Sequence, residues 1–390
     1  MNTKLYDVYH PWDISFEKAS GAELIGANGK TYLDLYGGHG VISIGHNHPA
    51  WKNAISNQLD KISYYSNAVK IAEQEEVAEL LEHVSGTSDY QLFLCNSGAE
   101  ANENAMKVAS FHTGRNKILS FNGAFHGRTV GAISVTDNSA IEAPFGKEIS
   151  QMKIAFEDQE SLVKELITKQ YAALIIEGIQ GVAGVIEAST GFWKKLRETC
   201  DATGTLLIAD EIQSGCGRTG NFFAFQYHNI RPDVITMAKG IGNGFPVAAV
   251  LIDNKIEAKK GQLGTTFGGS YLACAAMKSV LETLEKELLM LRAEELGVWL
   301  TAELSAIKGV EEVRGRGLMI GIKTAIKATE LQQLLLSEGI LTGNSTCPYT
   351  LRILPPLTIS KSELEVLLKI FSQLGSIPGG ELSGFKTFLQ

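Results

Sequence analysis

Two apolar runs, one ending in a carboxylate and the other in an amine, constrain this chain most. Thr205-Leu-Leu-Ile-Ala209 leads into Asp210-Glu-Ile-Gln213, and Pro232-Asp-Val-Ile-Thr-Met237 leads into Lys239-Gly-Ile-Gly-Asn-Gly244. Short apolar runs bounded by glycine and polar residues read as buried parallel strands. Asp210 and Lys239 then stand at the same ends of two strands, where open α/β sheets bind their ligands. Taken singly, Lys239 reads as a solvated charge at a strand end and Asp210 as a turn residue. Only the pair, with what surrounds it, points to chemistry.

A lysine in that place can form a Schiff base with an aldehyde cofactor, and an acid can keep a pyridine nitrogen protonated. Together these are the demands of pyridoxal phosphate. The run Gly240-Ile-Gly-Asn-Gly244 is G-x-G-x-G, not the G-x-G-x-x-G of a dinucleotide site, and a lysine precedes it.

Upstream, Gln91-Leu-Phe-Leu-Cys95 reads as a strand and Asn96-Ser-Gly-Ala-Glu-Ala as a turn into a helix. Ser97 with Glu100 fits a capping box. Free N–H groups and the positive helix end make Ser97-Gly98-Ala99 an anion site suited to phosphate, although every doubly wound fold has several plain turns of this kind. The strand Lys117–Phe121 leads to Asn122-Gly-Ala-Phe-His-Gly-Arg-Thr129. There Phe125 can cover a flat ring, and Arg128 can clamp a carboxylate with two parallel hydrogen bonds.

Strands are also expected at Gly29–Tyr36, Gly131–Val135, Tyr171–Ile176 and Val247–Ile252, with helices over most of Trp51–Val84, at Leu162–Ile167 and at Trp193–Cys200. This alternation argues for a mostly parallel sheet covered by helices on both faces. Tyr271–Ile307 reads as helix interrupted near Gly297, followed by strands around a turn in Val310–Ile322 and a helix over Lys361–Leu374. The changed rhythm suggests a second, smaller α+β domain. The expected division is residues 1–58 and 286–390 in the small domain and 59–285 in the large one. The last fifteen residues, rich in glycine, read as a loose tail.

The chain has 390 residues, 44% hydrophobic and 20% charged, as in an ordinary soluble globular protein. A net charge of −8 without basic runs argues against nucleic-acid and membrane-surface partners. The first residues lack the apolar stretch of a secretion signal. The five cysteines show no CxxC and no histidine at metal spacing, so reduced thiols, a cytoplasmic location and no metal are expected. His46 and His48 in a Gly/Pro turn have no third ligand nearby, and Asn344-Ser-Thr346 is read as a chance sequon.

The motifs Asn96-Ser-Gly-Ala-Glu-Ala, Phe125-His-Gly-Arg128, Asp210-Glu-Ile-Gln213, Lys239-Gly and Thr265-Thr-Phe-Gly-Gly269 occur in this order. With Gly315-Arg-Gly-Leu318 and Leu351-Arg-Ile-Leu-Pro-Pro356 they resemble the class III pyridoxal-phosphate aminotransferases over residues 20–375. The likeness is greatest to the acetylornithine (N-acylornithine) branch. It implies the aspartate-aminotransferase-like fold, type I of the pyridoxal-phosphate transferases, and a homodimer with shared active sites. It further implies that Lys239 carries the cofactor and shuttles a proton, and that Asp210 pairs with the ring nitrogen. Gln213 would bond the ring hydroxyl, and Phe125 and Ile212 would sandwich the ring. Ser97, Gly98 and Ala99 would hold the phosphate, reached by Thr266 of the second subunit. Arg128 and Arg352 would clamp substrate carboxylates, with Thr265 near the substrate.

The implied reaction is transamination between an N-acetyl- or N-succinylornithine and 2-oxoglutarate in arginine biosynthesis. Ornithine or 4-aminobutyrate aminotransferase, an aminomutase of the same fold, and a non-catalytic α/β ligand-binding protein are the alternatives. One position departs from the pattern. The family's Glu-Pro-Ile-Gln-Gly-Glu is here Glu177-Gly-Ile-Gln-Gly-Val182, without the second glutamate that screens the C-terminal arginine while the amine donor is bound.

Overall fold

The computed structural model describes residues 4–149 and 151–375. Its centre is a seven-stranded sheet. In spatial order the strands are Tyr90–Cys95, Ala248–Asp253, Val234–Met237, Leu206–Asp210, Tyr171–Glu177, Lys117–Phe121 and Met152–Ile154. Ala248–Asp253 is antiparallel to both of its neighbours, and the remaining pairs are parallel. Every strand except Ala248–Asp253 therefore points the same way. The chain segments that follow Cys95, Phe121, Glu177, Asp210 and Met237 all emerge at one edge.

The strands form as their composition dictates. Tyr171–Glu177 is buried at every position, the mark of a strand covered on both faces. Trp193 and Phe192, on the helix Thr190–Thr203, pack against this sheet with Phe121, Phe222 and Phe223 in one apolar cluster. Ser189 caps that helix by accepting from Phe192 N, and Gly204 ends it in the left-handed region at φ 64°.

A four-stranded sheet joins the two ends of the chain. Phe16–Ser20, Glu23–Gly26 and Thr31–Asp34 form an antiparallel meander, and Ile340–Leu341 pairs parallel to Thr31–Asp34. A third sheet holds Val310–Arg316, Met319–Thr324 and Thr350–Ile353 in antiparallel order. It supplies Arg352.

Two expectations are corrected. Gly131–Val135, read as a strand, is the helix Val130–Ser134. Its first N–H groups meet a carboxylate, since Gly131 N and Ala132 N both donate to Glu103 Oε1 (2.7 and 3.2 Å). That favours a helix start, and a run this short carries no period that could have revealed it. The break expected near Gly297 lies instead at Glu287–Leu288, where Leu288 takes φ 52° between the helices Tyr271–Lys286 and Leu289–Ser305. Gly297 stays helical because the Gly317 backbone crosses it. A Cβ there would come within 2.2 Å of Gly317 O. The fifteen C-terminal residues read as a tail lie outside the described residues. Among the described residues no helix is long and apolar enough to cross a membrane.

Candidate active site

The common edge of the parallel strands opens into a cavity of about 480 Å³, within the range of small-molecule sites. Ser97, Gly98, Ala99, Phe125, Arg128, Asp210, Ile212, Gln213 and Lys239 all line it. Strand register explains the assembly. Glu177 pairs with Asp210, and Asp210 with Thr236, so three strand ends align and Lys239 follows three residues beyond Thr236.

Asp210 is buried and held on both oxygens. Its Oδ2 accepts from His126 Nδ1 (2.7 Å) and Asn102 Nδ2 (2.7 Å), and its Oδ1 accepts from Ile212 N (3.0 Å). Asn102 also donates to His126 O (2.8 Å) and accepts from Thr236 Oγ1 (2.7 Å), so one buried amide ties together a helix, a loop and two strands. Asn102 escaped the sequence reading, although a polar residue between Ala101 and Ala105 on a small-residue stripe was its signal. His126 Nε2 is buried with no hydrogen-bond partner among the described residues.

Lys239 adopts φ 47°, a left-handed conformation rare for a side chain of this size. Burial lowers its pKa, opposed by Asp210 and Glu177. A neutral amine is the form that can attack a carbonyl. Glu177, also on the cavity wall, is pushed up to about 7 by burial, with Asp210 adding and His126 opposing. It accepts from Phe125 N (2.9 Å) and Gly181 N (3.1 Å) and thereby pins the two loops beside the cavity.

The helix Gly98–Thr113 starts at the cavity. Ser97 Oγ accepts from Glu100 N (3.2 Å), whereas Glu100 Oε2 turns back to Asn96 N (2.9 Å), one residue earlier than a capping box would place it. Gly98 N and Ala99 N remain free for an anion. A Cβ at Gly98 would approach Ile212 Cγ2 to 2.9 Å, so only glycine lets the helix start lie against the Ile212 side chain.

Arg352 is buried and reaches the cavity through Gln213. Its Nη1 donates to Gln213 Oε1 (3.3 Å), and Gln213 Nε2 donates to His39 O (3.1 Å). Burial lowers the His39 pKa, and Arg352, Lys239 and Arg128 lower it further. Arg352 and Arg128 form no ion pair among the described residues.

Thr265 and Thr266 do not line this cavity within one chain, although Thr265 Oγ1 accepts from Asn96 Nδ2 on its wall (3.0 Å). Thr265 lines a separate depression beside the edge strand Tyr90–Cys95, and Thr266 is exposed, with its carbonyl accepting from Tyr64 Oη (3.0 Å). His46 pairs with Asp34 and His48 with Glu287, so the two imidazoles face different partners.

The aminotransferase class-III family model matches residues 6–374. The chain is a class-III aminotransferase. Acetylornithine aminotransferase from Bacillus cereus is 38% identical over 381 residues, covering 96% of this chain and 98% of that one. Among solved structures, acetylornithine aminotransferase from Elizabethkingia anophelis superposes with a TM-score of 0.83 at 30% identity, covering 94% of this chain and 95% of that one. An ornithine aminotransferase structure from Toxoplasma gondii, with pyridoxal phosphate partly occupying its active site, superposes at 0.87 with 28% identity over 95% and 91% of the two chains.

Class-III aminotransferases depend on pyridoxal phosphate, and the cavity of this one fits that cofactor. It offers a glycine-tight helix start for the phosphate, a buried carboxyl group held by Asn102 and His126 for the ring nitrogen, and an amine whose pKa burial lowers for the aldehyde. When bound, the cofactor supplies the carbonyl that accepts an amino group and a ring that draws electrons from the carbon losing its proton. The fold is α/β of the type I class, as the resemblance implied.

Proposed function

We propose that this class-III aminotransferase moves the δ-amino group of an N-acylornithine to 2-oxoglutarate, giving the semialdehyde and glutamate, as a step of arginine biosynthesis that runs in either direction. One observation supports the pairing of substrates most. Two guanidinium groups stand at the cavity with no ion pair among the described residues, Arg128 on its wall and Arg352 behind Gln213. A dicarboxylate acceptor meets both, and an acylated donor brings its own carboxylate to one of them.

In this reading Lys239 would hold the cofactor, and its amine would move a proton between the donor carbon and cofactor C4′. Asp210, held by Asn102 and His126, keeps a negative charge where the ring nitrogen lies. Gly98 and Ala99 hold the phosphate with Ser97, Phe125 and Ile212 enclose the ring, and Gln213 serves its hydroxyl side. Residues 59–285 act as the cofactor domain, and 1–58 with 286–390 as the smaller one.

The working unit is a homodimer in the cytoplasm, with Thr266 completing the partner's phosphate site and Thr265 standing near the partner's substrate. Support for the dimer comes from the exposed aromatic pair Tyr64 and Phe267, 5.6 Å apart and beside Thr266.

A panel of donors with 2-oxoglutarate tests the reading. N-acetyl- and N-succinylornithine should be used well, and free ornithine and 4-aminobutyrate poorly. Because Val182 leaves Arg352 unscreened, the succinyl donor should be at least comparable to the acetyl one. A strong acetyl preference that Val182→Glu leaves unchanged removes Val182 from donor choice. Free ornithine used as the best donor favours the ornithine aminotransferase reading suggested by structures such as the Toxoplasma enzyme.

A further inference from the structure

The hydrogen bonds of Arg352 point to a substrate contact that the motifs do not contain. The guanidinium is buried, with 5% of the residue exposed. Its Nε donates to Asn344 O (2.6 Å), Nη1 to Gln213 Oε1 (3.3 Å) and Nη2 to Tyr36 Oη (2.8 Å). All three acceptors are neutral. A guanidinium has five N–H donors, so two remain. A buried cation held only by neutral dipoles is costly and favours an incoming anion.

We propose that Tyr36 is a carboxylate-binding residue of this aminotransferase, its hydroxyl holding Arg352 while presenting its own proton to the same substrate carboxylate. The inference rests on the reading that a 2-oxo dicarboxylate is the acceptor, and it assigns one of its two carboxylates to Tyr36 and Arg352 jointly. The Tyr36 oxygen is already the acceptor for Arg352, so its hydrogen is the group left to donate. Burial raises the phenol pKa against the pull of Arg352, so the proton is retained.

The phenol is built into place. Tyr36 N and Gly37 N both donate to Asp34 Oδ1 (2.9 and 2.8 Å), and Asp34 Oδ2 pairs with His46 Nε2 at 2.8 Å. The ring lies flush on Gly343, where a Cβ would come within 1.9 Å of Tyr36 Cε2. Gly343 exchanges both backbone hydrogen bonds with Arg352 (2.9 and 2.7 Å). Tyr36, Gly343 and Arg352 therefore move as one unit, with the guanidinium carbon 5.6 Å from the Tyr36 ring centroid. A pair preorganised in this way binds a carboxylate without first displacing a protein carboxylate.

Tyr36→Phe removes one oxygen and keeps the ring on Gly343. Glutarate, a dicarboxylate that cannot react, is titrated calorimetrically into the holoenzyme, and the two half-reactions are followed separately by the cofactor's absorption. The glutarate Kd and the KM for 2-oxoglutarate should each rise about tenfold, the scale of a hydrogen bond to a charged group. The acceptor half-reaction should fall more than the donor half. Glutarate bound equally with and without the hydroxyl overturns the proposal alone, as does an equal fall in both half-reactions. Unaltered enzyme that ignores both glutarate and 2-oxoglutarate overturns the acceptor reading together with this proposal.

Discussion

Asp210 shows how much of a residue's role lies in its neighbours. Two N–H donors, from His126 and Asn102, fix Oδ2 as an acceptor. In Asp210→Asn the amide nitrogen is therefore forced to the Oδ1 side, toward Ile212 N and the ring. Both charge and geometry are lost, and proton removal should slow by about 10²–10³-fold or more, the scale of a principal electrostatic group. Single-turnover kinetics check this, and near-normal turnover would refute the role.

Glu177 carries a pH signature. Its folded-state pKa is raised from 4.5 to about 7. Between those values the native protein keeps a proton that the unfolded chain has released, so cofactor-free protein should lose stability as pH rises through that window. Denaturant midpoints at several pH values should show a slope that flattens in Glu177→Gln. An unchanged slope would mean Glu177 is ionised throughout. Lys239 and Asp210 were legible because strand-end polarity is a local pattern. Tyr36 was not, because its partner Arg352 is 316 positions away and nothing near Tyr36 records the contact.

Among the elements, the strands of the large sheet were readable from their apolar runs, and the corrections fell where period carries little information. Val130–Ser134 is a helix because a carboxylate from another helix meets its first N–H groups, a tertiary cause absent from the five residues themselves. Gly297 was misread as a helix breaker. Its lack of a side chain serves the crossing of the Gly317 backbone, since a Cβ would lie 2.2 Å from Gly317 O. Backbone cannot give way as a flexible side chain can, so Gly297→Ala should destabilise the protein by about 1–3 kcal/mol, the usual cost of overpacking. Equilibrium unfolding of the cofactor-free protein measures it, and an unchanged or higher midpoint would show that the helix Leu289–Ser305 and the Gly317 turn move apart freely.

For the whole molecule, the sheet direction accounts for the site. Five segments leave one edge and carry, in chain order, the Ser97–Ala99 turn, the Phe125–Arg128 loop, Glu177, Asp210 and Lys239. Thr265 and Thr266 are the exceptions: neither lines the cavity of its own chain, which accords with the proposed dimer. Diluting the holoenzyme below its dimer constant should then release cofactor in step with dissociation. A monomer by light scattering that keeps full activity would contradict sharing. Which lysine holds the cofactor decides whether this cavity is the active site. Borohydride reduction of the holoenzyme followed by peptide mass mapping should find the pyridoxyl group on Lys239 and should find none in Lys239→Ala, which should still bind cofactor through Gly98 and Ala99 without turnover. The group found on another lysine, such as the exposed Lys255, would contradict it.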